Sequence, residues 1–182
     1  MEGTAEILAS RGIVLSVGNA LCVKRDERFR SWMQILLRRA AETGLSGEVP
    51  VAAVVLDGEG RAIGHGRNRR HHGRDPLGHA ELVALQQAAR LRGDWRFNHC
   101  SLIVTLEPCP MCAGALVNAR LEKLVFGAYD AKAGACCSLF DIPADGRLNH
   151  RVEMIGGVQE ERCAELLRSF FRRRRAEKRK AG

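Results

Sequence analysis

Aromatic residues are scarce in this chain: two Trp, one Tyr and six Phe, 5% of 182 residues. Stacking of bases on rows of aromatic side chains is therefore excluded as its main way of holding a nucleic acid. Long hydrophobic runs are also lacking, and no stretch approaches the roughly 20 apolar residues of a membrane-spanning helix. The mildly apolar residues 7–22 are interrupted by Arg11 and Asn19 and preceded by Glu2 and Glu6, so the basic start of a secretory leader is missing too. Seven cysteines, an odd number without regular spacing, do not form a disulfide framework and suit a reducing compartment. The expected location is the cytoplasm, with no membrane partner.

What is present is a globular composition with 46% apolar residues and a net charge of +8, enough chain for one domain with a core. The charge is uneven. Residues 172–180 carry seven basic side chains and one acid, net +6, so the rest of the chain is nearly neutral. A basic tail on a near-neutral body points to a polyanion held at one edge, or, in the plainer reading, to a solvated terminus that aids solubility.

Residues 1–27 have no clear periodicity and read as an N-terminal extension, poorly ordered. Helical spacing starts at Arg28, with Phe29, Trp32, Met33, Leu36, Leu37 and Ala40 on one face; Gly44 and Gly47 end it. Residues 51–56 are a buried strand, 57–60 a hairpin turn and 61–67 the returning strand. Residues 68–78 read as a loop and 79–92 as a helix that buries Leu82, Val83, Leu85, Ala88, Ala89 and Leu91. A second buried strand at 102–106 runs into a short helix of small residues at 111–119. Strands follow at 124–127 and, more weakly, 151–155. The last helix, 160–178, is apolar at Cys163, Leu166, Leu167, Phe170 and Phe171. This order predicts an α/β fold, a three-layer α/β/α domain over residues 28–171 with a mixed central sheet of about five strands. The last helix continues into a basic tail, 172–182. No internal repeat or second domain is visible.

Two short motifs carry the chemistry. His79-Ala80-Glu81 and Pro108-Cys109-Pro110-Met111-Cys112 supply one imidazole, two thiolates and a carboxylate free for proton transfer. Three protein ligands with an open fourth position describe a catalytic zinc, whereas a structural zinc is closed by four. Pro110 favours a first helical turn, which places Cys109 at a helix N-terminus and Cys112 one turn on. The exposed N–H groups and positive dipole end there stabilise thiolates. A zinc ribbon would need a second Cys-x-x-Cys, and the chain has none; a redox Cys-x-x-Cys would leave His79 and Glu81 idle. His79 and Glu81 are two apart and do not face each other on a regular helix, so His79 must stand at the mouth of the helix.

With these residues the chain resembles the zinc-dependent nucleobase deaminases, whose signature is His-x-Glu followed by Pro-Cys-x-x-Cys, and among them the tRNA adenosine deaminases. The similarity extends through Val49-Pro50-Val51-x-Ala53-Val54, Gly66-x-Asn68-Arg69, Asp75-Pro76-x-x-His79-Ala80-Glu81 and Val104-Thr105-Leu106-Glu107-Pro108-Cys109-x-Met111-Cys112-Ala113-Gly114-Ala115. It continues in Val125-Phe126-Gly127-Ala128-x-Asp130-Ala131-Lys132-x-Gly134-Ala135, Asn149-His150-Arg151-Val152-Glu153 and Phe170-Phe171-Arg172, and so covers roughly residues 28–178. The resemblance implies a cytidine deaminase-like fold, hydrolysis of adenosine to inosine at the wobble position of a tRNA anticodon, and a homodimer with sites near the subunit interface. It implies His79, Cys109 and Cys112 as ligands of one Zn2+ per subunit, with Glu81 as the proton shuttle. By the same resemblance Asn68 contacts the target nucleoside, and Ala128 and Asp130 lie beside the ribose or the flanking nucleotides. Arg67, Arg69, Arg70 and Arg74, with His71 and His72, line the approach to His79, and Arg172, Arg173, Arg174 and Arg175 stand further along. Both clusters are candidate contacts to the backbone of an anticodon stem-loop. Departures are Arg70 where the family has proline, Gly78 for alanine, and Cys136-Cys137 in place of small residues. Two alternatives stay open: a deaminase of a free nucleobase or nucleoside of guanine or cytosine type, and a non-catalytic zinc-containing RNA-binding subunit.

Overall fold

The computed structural model describes the backbone of residues 20–181 and the side chains of 27–180. Of the expected extension, residues 1–19 lie outside the described residues. The first helix, α1 (Ala20–Leu45), begins before Arg28 and buries Phe29, Met33, Leu36, Leu37 and Ala40 along one side, the spacing of an amphipathic helix. Gly44 falls inside it, and the chain turns away at Gly47, with φ 91°.

Strands β1 (Ala52–Leu56) and β2 (Ala62–Arg67) form the expected hairpin. Its turn is held by the Asp57 carboxylate, which accepts from the Glu59 and Arg61 N–H groups at 3.0 and 2.9 Å, and by Gly60 at φ 83°. A single helical turn, α2 (Arg70–Gly73), interrupts the stretch read as loop. Then come α3 (Ala80–Arg92), β3 (Ser101–Leu106), α4 (Pro110–Asn118), β4 (Lys123–Ala128), β5 (Glu153–Ile155) and α5 (Glu160–Ala181). The sheet order is β2-β1-β3-β4-β5; β1 runs antiparallel to β2 and β3, while β3, β4 and β5 are parallel. The three-layer α/β/α domain with a mixed five-strand sheet is as expected.

Alternation along the strands builds both layers. Ala52, Val54, Leu56, Ile103 and Val125 pack against α1 and α5. Ala53, Val55, Leu102, Val104, Leu124 and Phe126 pack against α3 and α4. Both faces of the central strands are covered, which explains their near-continuous apolar sequence.

The contact face of α3 differs from the one its large residues suggest. Leu91 is 69% exposed and Leu82 and Val83 are half-buried, whereas Ala80, Ala84 and Ala88 are fully buried. These alanines lie on β2, where a Cβ at Gly66 would stand 1.8 Å from the Ala80 carbonyl oxygen and one at Gly64 would stand 2.4 Å from that of Ala84. Glycine opposite alanine brings helix and strand backbones together, and the bulkier residues are left at the rim. On α5, Cys163 and Phe170 are buried while Phe171 is 44% exposed. No helix among the described residues is long and apolar enough to cross a membrane.

Candidate active site

The site lies where the parallel strands end, the usual crevice of an open α/β sheet. From the end of β3 the chain passes through Glu107 and Pro108 into α4. Cys109 occupies the N-cap position with extended backbone (φ −73°, ψ 172°), and Pro110 stands in the first turn. Cys112 follows one turn later and is buried. His79 holds the N-cap position of α3, also extended (φ −81°, ψ 146°). That extended step turns its ring away from the helical row and lets Glu81, two residues on, share the same locus. The Sγ atoms of Cys109 and Cys112 stand 3.7 and 3.6 Å from His79 Nδ1. The three ligand atoms lie within 4.8 Å of one another. Tetrahedral bonds of about 2.3 Å to sulfur and about 2.0 Å to nitrogen imply an N···S separation of about 3.5 Å, so these residues fit a tetrahedral cation with a borderline-soft donor set.

Protonation in the cluster follows from its hydrogen bonds. The Cys112 thiol donates to Cys109 and holds that thiol down at about 4, with His79 adding to the effect. The same bond, with burial and the nearby Glu81 carboxyl, pushes Cys112 well above the thiol range. A divalent cation held between the two sulfurs would favour the thiolate form of both. Glu81 is only 4% exposed, and burial raises its carboxyl above the usual carboxylate range, the direction that suits a group required to take and give a proton near neutrality.

Around the cluster is a cavity of about 370 Å³, lined among others by Asn68, Arg70, His79, Glu81, Cys109 and Asp130, within the size range of small-molecule sites. The Asn68 side-chain oxygen accepts from the Ala80 N–H at 3.0 Å. It thereby tethers the start of α3, whose N-cap residue His79 makes no capping bond of its own. Asp130 accepts from the N–H groups of Lys132 and Ala133 at 2.9 and 3.2 Å and also lines the cavity. Ala128 does not line it: this residue is buried at the end of β4, packed with α1 and α5, and its carbonyl accepts from the Glu107 N–H at 2.8 Å.

The structure divides the arginines. Arg70 and Arg74 line the cavity, whereas Arg67 and Arg69 line a separate cleft beside β2. Arg174 and Arg175 line a groove with Phe170, Phe171 and Lys178, and this groove shares Val49 and His71 with the catalytic cavity. Arg172 pairs with Glu165 at 2.7 Å, and Arg173 is exposed on the same helix.

Two further carboxylates shape the cavity, and sequence reasoning did not single them out. Glu48 is buried and accepts from the His71 and His72 N–H groups at 2.7 and 2.9 Å, holding α2 in place. Glu107 is buried and gathers the N–H groups of Asp130, Cys136, Cys137 and Ser138 at 2.8 to 3.0 Å, together with the Ser138 hydroxyl. Its loop wraps so tightly that a Cβ at Gly134 would lie 2.3 Å from Glu107 Oε2. An acid directly after an apolar strand was the one signal available; it says that donors must exist, not which ones. Cys136, inside this loop, is fully buried, and burial pushes its thiol far above the ordinary range, so it serves as packing.

Glu107→Gln leaves donor facing donor at one of the two oxygens, and an unsatisfied buried group costs about 1–3 kcal/mol. A stability loss of that size is expected in urea unfolding, with faster amide hydrogen exchange over residues 130–138. Unchanged exchange there would remove Glu107 as the anchor of the loop.

Comparison with known proteins gives consistent matches. The model of the MafB19-like deaminase family matches residues 27–175. The tRNA-specific adenosine deaminase of Bacillus subtilis is 41% identical over 151 residues, covering 82% of this chain and 92% of that protein. The enzyme of the same name from Haemophilus influenzae is 42% identical over 154 residues, covering 85% and 89%. A solved structure from a study of A-to-I editing by tRNA:A34 deaminases at the wobble position of transfer RNA superposes with TM-score 0.71 at 36% identity, covering 74% of this chain and 97% of that one. A guanine deaminase from Nitrosomonas europaea shares the fold with TM-score 0.67 at 23% identity, covering 78% and 83%.

Proposed function

The chain belongs to the MafB19-like deaminase family, and from that premise we propose that it hydrolyses adenosine to inosine at the wobble position of a tRNA anticodon, in the cytoplasm. The observation that carries this reading is the clustering of His79, Cys109 and Cys112 at a cavity lined by His79, Cys109 and the buried Glu81 carboxyl, in a chain about two-fifths identical to tRNA-specific adenosine deaminases. We assign one Zn2+ per subunit to the three ligands; bound there, it supplies a Lewis acid that brings the pKa of water to about 7.

The residues of the chain do the rest. Glu81 accepts the proton of the attacking water, passes it to a ring nitrogen, and returns a proton to the departing amine, so that adenosine and water become inosine and ammonia. Asn68 uses its oxygen on Ala80, which leaves its NH2 for an acceptor on the base. Asp130 forms the wall of the cavity on the side held by Glu107, and we place it beside the ribose or a flanking nucleotide; Ala128 belongs behind that wall. A base inside a stack cannot enter such a cavity, so the nucleotide must be flipped out, as single-stranded loops permit. Arg70 and Arg74 at the mouth, and the basic end of α5, where Arg174 and Arg175 line the neighbouring groove and Arg172 and Arg173 point to other sides of the helix, are suited to backbone phosphates.

Residues 28–171 are the catalytic domain in this reading, and the basic end of α5 is an RNA-contacting extension of it. The homodimer is part of the same proposal. Leu77, close to His79 in sequence, and Leu139 and Phe140, beyond the loop held by Glu107, are exposed apolar side chains that a second copy would cover.

Inosine mapping on total tRNA incubated with the purified, zinc-loaded protein tests the function. Inosine at the wobble adenosine is expected. Turnover of free guanine, cytosine or a nucleoside, with none on tRNA, would replace this reading with that of a small-substrate deaminase.

A further inference from the structure

Arg67, Arg69 and Arg70 are close in sequence, yet they do not serve one surface. Asn68 and Arg70 line the catalytic cavity, whereas Arg67 and Arg69 line a second cleft of about 570 Å³. That cleft lies at β2, the edge strand of the sheet. Helix α1 contributes Arg39 and Glu42 to it, and α3 contributes Val83.

Three guanidinium groups therefore meet one lining carboxylate. Among the described residues, neither Arg39 nor Arg67 is within ion-pair distance of an acid, and Arg69 reaches Asp75 only at 3.6 Å. His65 stands in the same wall, and its Nδ1 is buried without a hydrogen-bond partner. Burial and the nearby Arg39 push the His65 pKa down, so the positive charge here belongs to the arginines. Like charges converging in a concave site repel one another unless an anion joins them, and planar guanidinium forks match phosphate oxygens.

We propose that this cleft binds a backbone phosphate of the substrate RNA outside the catalytic cavity, held by Arg39, Arg67 and Arg69. The inference rests on the RNA reading above. Charged residues on an edge strand also serve to block edge-to-edge pairing of sheets. Arg39 is not on the edge strand but reaches the cleft from α1, which edge protection does not require.

The test uses the full zinc-loaded chain and a labelled anticodon stem-loop RNA, with affinity measured from about 50 to about 200 mM salt. Arg39→Ala and Arg67→Ala are each expected to weaken binding and to reduce the slope of log K against log salt by about 0.7–0.9. Arg39→Lys, which keeps the charge, is expected to retain the slope. Both arginines are exposed, so the fold should survive; if one variant fails to fold, the slope of the other decides. Unchanged slopes in the alanine variants would overturn the proposal. Self-association of Arg67→Ala with an unchanged slope would assign the arginines to edge protection instead. Inosine formation by the unmodified protein separates the two claims. A protein that deaminates tRNA but shows unchanged slopes in the variants sinks only the cleft. One that loses slope in the variants yet makes no inosine sinks only the deaminase reading.

Discussion

A Glu81→Gln protein is expected to lose turnover by a factor of about 10²–10⁴, the usual contribution of a positioned general acid–base group, while keeping its zinc. The side chain is buried at the cavity floor and is not one of the three ligand groups. Glutamine reproduces its shape but cannot act as an acid or a base near neutral pH. Burial already favours the neutral carboxyl at this position, so a neutral amide should cost the fold little. Single-turnover conversion on a stem-loop RNA, with metal content measured by mass spectrometry, checks both halves. A rate within a few-fold of the unmodified protein would leave the reaction without its proton carrier. Loss of zinc would instead make Glu81 part of the metal site.

Gly66→Ala is expected to damage the protein almost as severely, although residue 66 touches no reacting group. The added Cβ would lie 1.8 Å from the Ala80 carbonyl oxygen and 2.6 Å from the Ala84 nitrogen. Both are backbone atoms of α3, so no flexible side chain can move aside. Overpacking of a well-packed site commonly costs about 1–3 kcal/mol, occasionally more, and a backbone-on-backbone clash belongs at the upper end. The helix that must shift carries His79 at its mouth and Glu81 in its first turn, and Asn68, two residues beyond Gly66, holds that mouth through the Ala80 N–H. Zinc affinity should therefore fall together with stability. Urea unfolding and zinc retention during dialysis measure the two effects. A variant of ordinary stability that keeps its metal would show that the close packing of β2 and α3 does not position the site.

Much of this molecule was legible from local pattern. The strands at 51–56 and 102–106, the turn at 57–60 and the helix starting at Pro110 each announce themselves within a few residues, through β-branched runs, glycine in a hairpin turn and proline in a first helical turn. The clustering of His79, Cys109 and Cys112 was legible for the same reason: these side chains sit in the first turns of helices marked by short motifs. The contact face of α3 was not legible. Hydrophobic periodicity weighs Leu82, Val83 and Leu91 above Ala80 and Ala84, and only the presence of Gly64 and Gly66 across the interface makes the small residues the buried ones. The roles of Glu48 and Glu107 were hidden as well, because their partners lie 23 to 31 residues away in the chain.

By itself, then, the order of residues determined the class of fold and the His-Cys-Cys group that could hold a metal, since both depend on spacing that a helix or strand imposes over one or two turns. Tertiary structure alone decided which face of α3 is buried, which carboxylates hold the cavity walls, and how a single run of arginines divides between the catalytic cavity and the cleft at the sheet edge. Those outcomes depend on groups brought together from distant parts of the chain, where local propensity carries no information and close packing, hydrogen-bond satisfaction and charge select the arrangement.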